Sequence, residues 1–218
     1  MLSFAVLIIS ATAFSQTAIG IRAGVNNSSI RGEAMESLHS AIGLTNGIIQ
    51  TGNRTDFFGG MMVTAPLGNM FGIETGVYYS RKGYEMKGAF NFTENNLLGV
   101  AASAELQSGY IDIPLLLNVQ LTEGFYLYGG PQISYLAENN LRVKAGALGV
   151  NVFKKDIDVT ESFNRTDWSV TAGAGYKFQN NFVINAGYEH GLSRLDKNGY
   201  TESYNKNFKI GIGYIFGR

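Results

Sequence analysis

The sequence predicts an all-β protein: an eight-stranded antiparallel up-and-down transmembrane β-barrel with short periplasmic turns and long extracellular loops. Three observations predict it. Period-two alternation of apolar and polar residues recurs in eight segments. The connections between them sort by length, and aromatic residues gather at both ends of the segments. Composition agrees. Glycine is abundant at 28, aromatics number 14 Phe, 12 Tyr and 1 Trp, and there are 3 prolines. That mix suits strands that curve tightly and carry aromatic belts, whereas collagen-like and disordered chains are poor in aromatics.

The eight segments are 17–26, 55–66, 70–81, 109–121, 125–137, 167–178, 182–192 and 207–216. A strand needs about 9–11 residues to cross a membrane, and each segment is that long or slightly longer. Alternation is clearest in the fourth, where Ile111, Ile113, Leu115, Leu117, Val119 and Leu121 lie on one face and Tyr110, Asp112, Pro114, Leu116, Asn118 and Gln120 on the other. The last segment repeats it, with Phe208, Ile210, Ile212, Tyr214 and Phe216 against Lys209, Gly211 and Gly213. Such alternation fits a strand with two different environments on its two sides.

Connections after the second, fourth and sixth segments are short: 67–69, 122–124 and 179–181. Those after the first, third, fifth and seventh are long: 27–54, 82–108, 138–166 and 193–206. Short turns at one end and long loops at the other describe an outer-membrane barrel, and a soluble sandwich has no reason to sort its loops this way. An even strand count then leaves both termini on the periplasmic side. Outward aromatics form two rings. Phe71, Phe125, Phe178, Phe182 and Phe216 flank the short turns, while Phe57, Tyr79, Tyr135, Trp168, Tyr188 and Phe208 lie towards the long loops. These are the expected girdles at the two membrane interfaces.

Lipid leaves no partner for a free backbone group, so the sheet must close, and eight strands enclose a lumen just wide enough to be filled by side chains. Many inward positions are glycine, which leaves room for Arg22, Glu74, Tyr126, Tyr128, Gln132, Glu189 and Lys209. Glu189 and Lys209 sit at similar depth on neighbouring strands and are expected to pair. The set reads as a plug of ion pairs and hydrogen bonds, with a conduction path for ions or tiny solutes as the alternative.

Residues 1–14 are almost all apolar and carry no charge, and Ala13-Phe14-Ser15 offers small residues where a signal peptidase reads. The chain therefore divides into a signal peptide at 1–15 and a barrel domain at 16–218, with cleavage before Gln16. No Lys or Arg precedes the apolar run. Lys+Arg and Asp+Glu both total 17, so nothing favours binding to nucleic acid, and the absence of cysteine excludes disulfides and thiolate metal sites.

No cofactor is expected. His190 lies near Ser193 and Asp196 in sequence, which raises an enzyme as a further alternative, but alternation puts His190 on the outer face with Ile184, Ala186 and Tyr188. His39 falls in the first long loop. Asp156, Asp158 and Glu161 lack the glycine turn and bidentate acid of a dedicated calcium loop. Arg81, Lys82 and Lys87, at a loop base, are expected to contact lipid phosphates. Met35, Leu38, Ala41 and Ile42 fall at helical spacing, which predicts a short amphipathic helix in 33–44.

The strand motifs Gly20-Ile-Arg-Ala-Gly-Val-Asn26, Gly72-Ile-Glu-Thr-Gly-Val-Tyr-Tyr-Ser-Arg-Lys-Gly83, Tyr110-Ile-Asp-Ile-Pro-Leu-Leu-Leu117, Tyr128-Gly-Gly-Pro-Gln-Ile-Ser134 and Asp167-Trp-Ser-Val-Thr-Ala-Gly-Ala-Gly-Tyr176 resemble the PorT-like outer-membrane β-barrel family, porin-like proteins of Bacteroidetes. The resemblance covers almost the whole chain after residue 16. It implies a bacterial outer-membrane location and an eight-stranded barrel, and no reaction. Its namesake is tied to a secretion and gliding apparatus. The chain ends Phe216-Gly217-Arg218, where many barrels end on the aromatic itself. The resulting expectation is a non-enzymatic, monomeric barrel with a filled lumen. Its partners would be outer-membrane lipid and, through the extracellular loops, an envelope or secretion complex or another surface protein. A soluble lipocalin-like barrel is the remaining alternative.

Overall fold

The structure, a computed structural model, describes residues 17–32, 49–91, 99–147, 150–197 and 202–216. The expected signal peptide, the loop helix at 33–44, His39 and the last two residues lie outside them. The strands are β1 (Ala18–Arg31), β2 (Ile49–Leu67), β3 (Phe71–Asn91), β4 (Gly99–Gln120), β5 (Phe125–Ala147), β6 (Val150–Asp158), β7 (Thr166–Lys177), β8 (Phe182–Gly191) and β9 (Tyr204–Phe216). All neighbouring strands pair antiparallel. The sheet order β4-β3-β2-β1-β9-β8-β7-β5-β6, with β4 also on β5, closes a ring of eight strands. β6 stands outside the ring, paired with β5 alone among the described strands.

Each expected segment lies on a strand of the ring, and the short connections keep their places at the ends of β2, β4 and β7. Asn181 in the last of these turns has a φ of 65° and Gly68 in the first a φ of 78°, left-handed conformations that let the chain reverse in few residues. The faces agree as well. On β4, Ile113, Leu115 and Leu117 are exposed while Asp112 and Leu116 are buried. On β2, Met61 is 60% exposed and Met62 is 0% exposed. The outward row meets hydrocarbon. Replacing Leu115 by Arg is expected to destabilise the inserted barrel by about 2–4 kcal/mol, read from urea titrations in vesicles.

The strands run further than the alternation indicates. β3, β4 and β5 have 21, 22 and 23 residues, against the 9–11 or so that cross a membrane. β1, β7, β8 and β9 have 14, 12, 10 and 13. The surplus therefore lies on one side, where β2 to β6 form a sheet beyond the bilayer. Much of the expected long loops at 27–54, 82–108 and 138–166 is strand. Outside lipid both faces of a strand meet water or polar neighbours, so the hydrophobic contrast fades while backbone pairing continues.

Two irregularities mark the passage from wall to extension. Register shifts between Asn53 and Phe58 on β2, and between Gly109 and Tyr110 on β4 opposite β5. In the second, Gly109 faces Glu138 and Tyr110 faces Leu136, so Ala137 is an extra residue. The bulge moves the buried face of β5 from even to odd positions: Gln132, Ser134 and Leu136 are buried below it and Asn139 above it.

The lumen is packed. Its periplasmic half holds Phe58, Met62, Tyr78, Leu116, Tyr126, Tyr128, Val183 and Ile215 as one apolar cluster. Glycines face these rings. A Cβ on Gly187 would come within 2.2 Å of the Tyr128 hydroxyl, and one on Gly175 within 2.4 Å of the Tyr126 ring.

Candidate functional site

The seven polar lumen residues expected from alternation all point inward, at two levels. At the lower level the guanidinium of Arg22 on β1 forks onto the carboxylate of Glu74 on β3, with Nη1 donating to Oε1 at 2.5 Å and Nη2 to Oε2 at 2.9 Å. Arg22 Nη1 also donates to the Tyr78 hydroxyl at 3.4 Å. The pair is buried at 7% and 4% side-chain exposure.

At the upper level four charges form a square. Lys82 Nζ lies 3.1 Å from Asp112 Oδ1 and 2.6 Å from Glu189 Oε1, and Lys209 Nζ lies 2.9 Å from Asp112 Oδ2 and 2.8 Å from Glu189 Oε2. Each carboxylate bridges both ammonium groups. The strands carrying them are β3, β4, β8 and β9, so in the eight-membered ring Lys82 faces Glu189, and Asp112 faces Lys209, across the barrel diameter. Ser134 Oγ donates to Asp112 at 2.7 Å, and Gln132 donates to Ser134 at 3.2 Å. Lys82 Nζ lies over the face of the Tyr110 ring and Lys209 Nζ over that of Phe58, at 4.8 and 5.6 Å. Lys82, Asp112 and Glu189 are at most 1% exposed and Lys209 is 13% exposed. Desolvating such groups is costly, and alternation of sign around the square is what offsets it.

Glu189 and Lys209 thus pair as alternation predicts. Lys82 corrects an expectation: it does not sit at a loop base against lipid phosphate but is buried in the lumen. The reason is that β3 continues past it, so alternation from Tyr78 and Ser80 turns it inward. Arg81 donates to Gln107, and Lys87 pairs with Glu85 at 3.0 Å. Sequence reasoning placed Asp112 on the inner face but did not single it out. Its signal was available, as the lone carboxylate among Ile111, Ile113 and Pro114.

Above the square, Asn205 donates to Asp167 at 2.7 Å and to the Tyr110 hydroxyl at 3.3 Å. On the extension, Glu105 accepts from Lys144 at 2.5 Å, Gln107 at 2.9 Å and Arg54 at 3.1 Å. Burial pushes the Glu105 carboxyl up, but the Lys144 and Gln107 hydrogen bonds and the Lys144 and Arg54 charges outweigh it and hold the group below the usual carboxylate range. On the β5–β6 hairpin, Arg142 forks onto Asp156 at 2.7 and 3.0 Å.

Asp158 accepts from the Thr160 hydroxyl and N–H, and Glu161 pairs with Arg165, so the three loop acids serve separate partners. Among the described residues no group of three or more His, Asp or Glu is placed to hold a metal.

The aromatics expected at the membrane boundaries face outward. Phe71, Phe125, Phe178, Phe182 and Phe216 stand at the turn end, and Phe57, Tyr79, Tyr135, Trp168, Tyr188 and Phe208 towards the other. All are half exposed except Tyr79, whose hydroxyl donates to Glu138 at 2.9 Å. His190 shares their face, with Nδ1 3.4 Å from the Tyr188 hydroxyl. Ser193 Oγ accepts the Trp168 N–H at 2.9 Å, and Asp196 forms a bridge with Phe163. Substituting His190 by Ala is expected to leave lipid A and surface-protease profiles unchanged, checked by mass spectrometry of extracted lipid and by surface digestion.

A vestibule of about 360 Å³ opens at the short-turn end beneath the Arg22–Glu74 pair, bordered by Thr64, Pro66, Asn118, Gln120 and Lys177. A pocket of about 40 Å³ separates that pair from the square. The vestibule therefore ends against a charged roof.

The model of the outer membrane protein beta-barrel domain family matches residues 14–197. No curated protein matches the chain. Solved structures similar to it include Ail, the attachment invasion locus protein of Yersinia pestis, at 17% identity and a TM-score of 0.43, covering 92% of this chain and 99% of that one. Neisserial surface protein A is similar at 13% identity and a TM-score of 0.49, covering 91% and 97%. The outer membrane protein OprG of Pseudomonas aeruginosa is similar at 13% identity and a TM-score of 0.38, covering 93% and 97%.

Proposed function

This chain belongs to the outer membrane protein beta-barrel domain family, and from that premise we propose that it is a plugged, non-enzymatic scaffold whose work is done by the sheet it raises outside the membrane. The observation that carries the reading is the square of Lys82, Asp112, Glu189 and Lys209, which spans the barrel diameter with three of its four members at most 1% exposed. A path for ions would have to break two carboxylate–ammonium contacts at each corner. The material invested above the membrane is one-sided, and β6 at its edge exposes two large apolar side chains, Phe153 and Ile157, at 51% and 38%. Exposed strands of this kind suit recognition of a protein partner better than transport. The resemblance of the strand motifs to PorT-like barrels favours a partner within an envelope or secretion complex.

A photo-crosslinking residue placed at Phe153 or Ile157, and for comparison at Leu115, tests this in native membranes. The reading expects a discrete protein adduct from the hairpin positions and lipid adducts alone from Leu115. Lipid adducts alone from all three positions would contradict it.

A further inference from the structure

The outer wall is not uniform. On β4 the outward row Ile113, Leu115 and Leu117 is continuous and 45–55% exposed. On β1 the row is broken, because Ala23 stands between Ile21 and Val25, which are 48% and 53% exposed. Ala23 faces Gly59 on one side and Ile212 on the other, so the relief is low across β2 and β1. Next to this gap lies a ledge of rings. Phe182 meets Tyr214 edge to face at 5.2 Å, and Tyr214 meets Phe216 in the same way at 5.2 Å. The Phe182 and Tyr214 rings bound a groove of about 370 Å³ whose other sides are Ile21, Ala23 and Ile212.

Phe182 opens β8 and Phe216 closes β9, so the groove lies in the periplasmic half of the wall. Its sides are side chains of the lipid-facing row, and it is continuous with the surface that already meets hydrocarbon. A flexible apolar chain lying in it touches protein on two sides, where on the flat wall it touches one, and gains dispersion contacts accordingly. A polar ligand would lose its hydration there without recovering hydrogen bonds.

We propose that this groove between β1, β8 and β9 is a lipid site that seats one acyl chain of a phospholipid from the periplasmic leaflet. The chain lies against Ala23, with Ile21 on one flank and the Phe182–Tyr214 pair on the other. The lipid is held longer than its neighbours in the surrounding shell.

Vesicles of phosphatidylethanolamine and phosphatidylglycerol, doped with a phosphatidylcholine carrying a diazirine in its acyl tail, provide the test. After irradiation, adducts are mapped by peptide mass spectrometry. Segments holding Ile21 and Ile212 to Tyr214 are expected to carry several-fold more label than the segment holding Leu115 and Leu117. Ala23→Phe, which fills the groove with an apolar ring, is expected to bring them to the same level. Ala172→Phe, at a small outward position on β7, is expected to change nothing. Even labelling of the wild-type wall would overturn the proposal without recourse to any variant. So would undiminished label in a folded Ala23→Phe protein.

Discussion

Replacing Asp112 with alanine is expected to cost the barrel about 3–5 kcal/mol, the range for removing one partner of a buried ion pair. The substitution leaves Lys82 and Lys209 converging on Glu189 alone, with Lys82 1% exposed and unable to reach water. Ser134 loses the acceptor of its hydroxyl as well. Lys209→Met should cost less, because Lys209 is 13% exposed and its loss leaves Lys82 to neutralise the two acids in part. The double change Lys209→Met with Glu189→Gln removes one charge of each sign. It should therefore fall well short of the sum of its parts, since contacting residues in one network do not add. Urea titrations in vesicles of the wild type, Asp112→Ala, Lys209→Met, Glu189→Gln and the double variant, followed by heat-modifiable gel mobility, measure the whole cycle. Equal small costs for all four variants would mean that the square is solvated.

Gly24→Val is expected to prevent closure altogether. Gly24 pairs with Gly211 where the first strand meets the last, and a Cβ there would come within 2.0 Å of the Ile210 carbonyl oxygen and 2.6 Å of the Gly211 Cα. Those are backbone atoms of the neighbouring strand. The penalty should exceed the 1–3 kcal/mol or so typical of an overfilled core, where side chains can move aside. Gly187→Ala offers the contrast. Its nearest obstacle is the Tyr128 hydroxyl at 2.2 Å, the far end of a side chain, so Tyr128→Phe should recover part of the loss. No side-chain trimming should recover Gly24→Val. The readout is the fraction of protein that reaches the heat-modifiable, protease-resistant form on refolding into vesicles.

The parts of this fold that were legible in the sequence are those on which lipid imposes a contrast. From Phe57 to Thr64, and through most of the fourth, seventh and last ring strands, one face meets hydrocarbon and the other a crowded lumen. Alternation there places Glu189, Lys209, Arg22 and Glu74 on the correct side. The extension was not legible, because Lys82 to Gly88 and Lys154 to Asp158 alternate between environments that differ little, so β6 and the upper half of β3 read as loop. Lys82 was misplaced for that reason alone. Phe57 and Phe58, and Met61 and Met62, set the same residue type on opposite faces, so the phase of the alternation and not composition separates the buried member of each pair. The bulge at Ala137 changes the phase of β5 without any glycine or proline at that position to mark it.

Planar-bilayer recording of the refolded chain is the most direct measurement of whether the barrel is a plugged scaffold. A plugged barrel gives a silent membrane, with the inserted protein verified by its heat-modifiable band and no discrete current steps at either polarity. Stable, reproducible single-channel steps from the wild-type chain would show that the Lys82–Asp112–Glu189–Lys209 square leaves a continuous path, and would contradict the plugged-scaffold reading.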